Sequence, residues 1–142
     1  MMRRWVLIGL AVVVVIIGAL VLVGSVAVAH SNPEVTHTIA WDSPQTEQLV
    51  RAACFDCHSN ETVWPWYSYV APMAFLVSHD VDEGRAEMNL STGRGVEGDE
   101  MVEQIRRGLM PPQSYVVLHP SAGLTDAQKT QIIDGITATF GG

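Results

Sequence analysis

The chain has 142 residues, of which 48% are hydrophobic, and a formal charge of −7, a size suited to one small domain. Six basic residues stand against all 15 acidic ones beyond residue 29, a formal balance of −9 there, which argues against a nucleic-acid or anionic-membrane surface. Two cysteines and five scattered histidines leave too few closely spaced ligands for a four-ligand zinc site.

Met1-Met2-Arg3-Arg4 precedes an uncharged apolar run from Trp5 to Ala29. About 25 residues rise roughly 37 Å as a helix, enough to cross a bilayer with some tilt. The expectation for 1–29 is an uncleaved signal anchor, a single span in contact with lipid through residues 5–29. Arg3 and Arg4 keep its N-terminus cytoplasmic, and the remainder lies on the periplasmic or extracellular side. Ala27-Val28-Ala29 has the A-x-A form of a processing site, so a cleaved signal peptide competes, although its apolar region is usually only about 7–15 residues. Residues 30–41 read as a polar linker containing Pro33, without helical or strand periodicity. Residues 42–142 form the domain.

Ser43 as N-cap and Pro44 at the first helical position start a helix that runs into Cys54-Phe55-Asp56-Cys57-His58. That sequence holds both cysteines and has the C-x-x-C-H form that attaches c-type haem. Two thiols one helical turn apart can each add to a haem vinyl group, and the adjacent imidazole reaches the iron. One haem c, held through Cys54 and Cys57 with His58 as proximal ligand, is therefore expected. A redox dithiol and a metal site are the competing readings.

Trp64-Pro65-Trp66-Tyr67-Ser68-Tyr69 is dense in aromatics. Trp64, Trp66 and Tyr67 are candidates to cover a haem face or bond a propionate, against a purely hydrophobic plug. Pro65 or Pro72 could offer a carbonyl to the far nitrogen of His58. A helix is expected over about Met73 to Met88, weakened in its middle by Gly84, and 91–98, with three glycines, is a loop. Asp99 can cap a short helix through Arg107, stopped by Gly108. Arg106 and Arg107 are either propionate partners or solvated charges.

Gly108-Leu109-Met110-Pro111-Pro112 presents the best distal ligand, since the prolines restrain the backbone that carries the Met110 thioether. His79 is the alternative, giving a bis-His iron, and His119 and an open position also remain. Met73, Met88 and Met101 suit apolar helix faces. Thr125-Asp126-Ala127-Gln128 is a capping box, followed by a stripe of Ile132, Ile133, Ile136 and Phe140. No segment alternates like a strand for long, so the fold class is all-α, and the order of haem motif, helices, Met-Pro loop and final helix resembles class I cytochromes c.

A more specific pattern is carried by Cys54-x-x-Cys57-His58-Ser59-Asn60-x-Thr62-x-Trp64-Pro65-Trp66-Tyr67, Ala71-Pro72, His79-x-Val81-x-x-Gly84-Arg85, Asn89-x-Ser91, Met110-Pro111-Pro112 and Tyr115-x-x-x-His119-Pro120. Together these resemble the bacterial haem-binding domain family of membrane-anchored or exported monohaem c-type proteins, over about residues 41–140. Phe75 stands where such proteins often carry Trp, and the glycine-rich loop lacks an aromatic often seen there. The expected function is relay of single electrons between membrane redox complexes or soluble carriers, aided by a tether of about a dozen residues. A gas-binding haem sensor is the alternative. Catalysis is not expected, because no distal acid–base group is identifiable.

Overall fold

The computed structural model describes residues 2–141; Met1 and Gly142, the ends of the expected anchor and domain, lie outside them. Among the described residues the fold is all-helical, with seven α-helices, two short 3-10 turns and no strand. The chain divides into two compact units, Met1–Ser31 with Trp64–Asp80, and Asn32–Val63 with Val81–Gly142.

In the first unit α1 (Met2–Ala27) is a continuous apolar helix, long enough to cross a membrane. A 3-10 turn, Trp66–Tyr69, lies against its C-terminal part, where the Ala71 N–H donates to the Leu20 carbonyl at 3.1 Å. Gly24 makes that approach possible: a Cβ there would sit 2.5 Å from the Tyr69 carbonyl oxygen. His30 follows the helix, stacks on Tyr69 with ring centroids 3.9 Å apart, and donates from Nε2 to the Ser68 carbonyl at 2.7 Å.

The second unit is built from helices whose ends were written locally. Ser43 caps α2 (Pro44–Ala53) by accepting from the Thr46 N–H, with Pro44 in the first turn. The Thr125–Gln128 capping box opens α7 (Asp126–Phe140). The short helix α5 (Gly98–Arg106) begins one residue before the expected cap: Glu97 is its N-cap and makes no side-chain bond, while Asp99 lies in the first turn, where a carboxylate suits the helix dipole. Gly108, at φ +68°, stops it as expected. Between α5 and α7 lies α6 (Gln113–Leu118), a six-residue helix without a periodic signature.

Val50 of α2, Phe55, Leu90, Met101, Val102 and Ile105 of α5, and Ile132 and Ile136 of α7 close into one buried core. Met88, Ile133 and Phe140 pack partly buried against it. Trp41 meets Phe140 edge-on at 5.9 Å.

Residues 30–41 have no regular structure, as a linker should, but they are not a free tether. Asn32 Nδ2 donates to the Thr62 carbonyl at 2.9 Å, the Glu34 carbonyl accepts from Asn60 Nδ2 at 2.8 Å, and the Thr36 and His37 N–H groups both donate to the Ser91 carbonyl at 2.9 Å. Ile39 and Trp41 then join the apolar core. Partners far along the chain hold this segment, which is why its composition alone reads as a spacer.

Candidate functional site

Cys54 is the hinge between α2 and α3 (Phe55–His58): it closes the first helix and starts the second, at φ −126° and ψ −34°. Cys57 and His58 lie in α3 itself, so the motif occupies a helix end as its spacing implied. No disulfide joins Cys54 and Cys57. The Cys54 side chain packs against the core, and that burial, reinforced by Cys57, pushes its thiol up to about 12. Such a shift disfavours the thiolate at Cys54 near neutral pH. In chain produced without haem attachment, Cys54 should react with iodoacetamide near pH 8 far more slowly when folded than in urea; equal rates would mean that the thiol is not buried.

His58 is oriented from behind. Its Nδ1 donates to the Gly84 carbonyl at 2.8 Å and to the Met88 carbonyl at 3.2 Å, both at the C-terminal end of α4 (Met73–Glu87) or just beyond it. Two carbonyl acceptors require the proton on Nδ1, which leaves the Nε2 lone pair for a metal. This corrects the expectation that Pro65 or Pro72 supplies the carbonyl. The reason is Gly84, buried against the haem motif, where an added Cβ would stand 2.6 Å from the Cys57 carbonyl oxygen. Lacking one, the helix comes close enough for its own carbonyls to reach the imidazole.

The loop after His58 is held by a buried polar network. Asn60 N–H donates to Ser91 Oγ at 3.0 Å, Asn89 Nδ2 to Asn60 Oδ1 at 2.9 Å, and Ser91 N–H to Asn89 Oδ1 at 2.9 Å. The Leu90 N–H donates to the His58 carbonyl at 2.8 Å. Arg85 donates to the Ser59 carbonyl at 2.8 Å and to Thr62 Oγ1 and Asn32 Oδ1 at 2.9 Å, while burial pulls its guanidinium below the ordinary value. Ser59, Asn60, Thr62, Arg85, Asn89 and Ser91 thus earn their place in the motif by fixing the backbone behind the imidazole.

Asp56, between the two cysteines, accepts from the Val63 N–H at 2.9 Å and from the Tyr115 hydroxyl at 2.6 Å. Tyr115 in turn stacks on His119, with centroids 4.1 Å apart. Sequence reasoning singled out neither contact, because they join positions 59 and 4 residues apart through a helix too short to show a pattern. Met110 is half-buried after α5, and Arg106 and Arg107 are exposed.

The remaining candidates belong to the first unit. Trp64 is partly buried and its indole N–H is enclosed without a hydrogen-bond partner, a donor available to an acceptor oxygen. Trp66 is 78% exposed, Tyr67 is half-buried, with its ring edge-on to Trp66 at 5.8 Å, and His79 is exposed on α4.

These residues fit a haem iron. His58 offers a single nitrogen with its proton fixed on the far side, and among the described residues no three His, Cys, Asp or Glu gather to cage a metal by themselves. Leu109, next to Met110, and Val117 and Leu118, at the end of α6, are apolar side chains left 47%, 68% and 53% exposed. No curated protein and no solved structure matches the chain. A family model described as the haem-binding domain matches residues 14–138, nearly all of the chain, and with the imidazole geometry it shows that the protein belongs to the haem-binding domain family.

Proposed function

We propose that the protein is a membrane-anchored monohaem c-type cytochrome that relays single electrons to or from a membrane redox complex or a soluble carrier. The observation that carries the reading is His58, its Nδ1 proton held by the Gly84 carbonyl beside Cys54 and Cys57 in the C-x-x-C-H spacing. Bound there, a haem supplies reversible one-electron chemistry at its iron. The chain's own part is to anchor the group through Cys54 and Cys57, to orient His58 through α4, and to present Met110 as the distal ligand. His119 is engaged by stacking on Tyr115, which favours the thioether over that imidazole. The anchor is α1, with Arg3 and Arg4 on the cytoplasmic side and the haem domain on the periplasmic side. No catalytic role is assigned.

The optical spectrum of the ferric protein tests this reading. A weak far-red band of sulfur-to-iron charge transfer is expected, to be lost in Met110→Ala with haem still attached. Carbon monoxide should bind the reduced wild-type protein slowly or not at all. Haem without that band, resistant to carbon monoxide, would transfer the distal role to His79 or His119. Immediate carbon monoxide binding would favour a gas-binding sensor instead.

A further inference from the structure

Residues 64–79 contain no Asp, Glu, Lys or Arg in a chain where such residues make up 16%, and 64–75 hold half of its ten aromatics. The stretch is not hidden. Trp66 is 78% exposed, Phe75 46% and Leu76 54%, all in the unit that contains α1. Such a surface, in a domain otherwise rich in acidic residues, calls for something to cover it.

Its attachment to α1 indicates what that is. The Ala71 N–H bonds the Leu20 carbonyl, and the Tyr69 backbone lies where a Gly24 side chain would be. Along a helix that starts its apolar run at Trp5, Gly24 stands about 29 Å on, close to the roughly 30 Å of a hydrocarbon core. Trp and Tyr concentrate at that depth in membrane proteins because their rings are apolar and their N–H or O–H is wet. The backbone is prepared for it too. The N–H groups of Ser68, Val70, Ala71, Ala74 and Phe75 all donate to carbonyls, those of Pro65, Tyr67, Leu20, Val70 and Pro72. Paired amides are what a segment needs where water is scarce.

We propose that the uncharged stretch 64–79, led by Trp66, is a second membrane contact, seated in the outer interface of the bilayer that α1 crosses. The inference rests on the reading of α1 as a membrane span. Its partner is the headgroup and upper acyl region of a lipid bilayer, recognised by apolar burial and aromatic amphipathicity. It is not a charge-selective site, since the stretch carries no fixed charge to attract anionic lipid.

The test is photo-cross-linking of the full haem-loaded chain in phosphatidylcholine nanodiscs containing a lipid with a diazirine high on its acyl chain. Adducts are mapped by mass spectrometry. Adducts are expected on α1 and on 64–79, centred on Trp66, and several-fold fewer on the exposed charged residues of α5. Adducts on α1 alone would overturn the second contact while leaving the span, and would mean that haem, protein or water covers Trp66 instead. Adducts on neither segment would overturn both readings. In Leu76→Asp, at an exposed position of the same stretch given no part in holding haem, the adducts on 64–79 should fall while those on α1 and the haem spectrum stay unchanged. The wild-type map decides the question even if that variant fails to accumulate.

Discussion

Gly84→Val is expected to yield a protein that carries little or no haem and melts well below the wild type. Helix propensity alone points the other way, because replacing a mid-helix glycine removes a penalty of about 1 kcal/mol relative to Ala, part of which Val would recover. Packing decides against it. The atoms that a Cβ would meet are the Cys57 carbonyl oxygen at 2.6 Å, its carbon at 3.0 Å and the Cys57 Cβ at 3.0 Å, none of them the end of a flexible side chain. Overpacking of this kind costs about 1–3 kcal/mol or more, a large share of a small domain's stability of about 5–15 kcal/mol. To relieve it α4 must move away from the haem motif, and the Gly84 and Met88 carbonyls would leave His58 Nδ1 with it. Haem content per chain and a thermal melt measure the result, with Gly84→Ala as the milder variant. Ala86→Gly on the exposed face of α4 is the control: it should cost about 1 kcal/mol of stability and leave haem content unchanged.

Gly84 also marks where reading the sequence stops. As a residue in a helical pattern it registers as a weakness, and only the tertiary approach of α3 turns that weakness into a requirement. Features whose partners lie within four residues were legible: the Ser43 cap, Pro44 after it, the Thr125–Gln128 box and the Gly108 stop all form where they were expected. C-x-x-C-H is local in the same way, and the haem-binding family it pointed to is the one the chain belongs to. The acceptors behind His58, 26 and 30 residues away, were not, nor were the bonds that pin residues 30–41 to Asn60 and Ser91. The quoted motif did contain most of these groups. Resemblance named Asn60, Gly84, Arg85, Asn89 and Ser91 without a reason, and the reason is the backbone frame they build around one imidazole.

A second glycine follows the same logic at a site remote from the haem motif, and so separates folding from cofactor chemistry. Gly135, in the middle of α7, is buried against Thr46 of α2, and a Cβ there would collide with Thr46 Oγ1, with its Cγ2 at 2.6 Å and with its Cβ at 2.8 Å. Thr46 cannot swing away freely: it is 1% exposed, and its Oγ1 lies 3.0 Å from Ser43 Oγ, the cap of α2. Gly135→Ala is therefore expected to destabilise the protein by about 1–2 kcal/mol net, the overpacking exceeding the gain of about 1 kcal/mol in helix propensity. Thr46→Ala removes two of the three colliding atoms and leaves its own Cβ 2.8 Å away, so in that background the same substitution should cost clearly less while still costing something. A double-mutant cycle followed by thermal or denaturant unfolding measures that coupling. Additive costs would mean that α2 and α7 slide apart rather than interlock. Unlike Gly84→Val, neither substitution should alter the His58 environment, so the haem spectrum of the surviving folded protein should match the wild type.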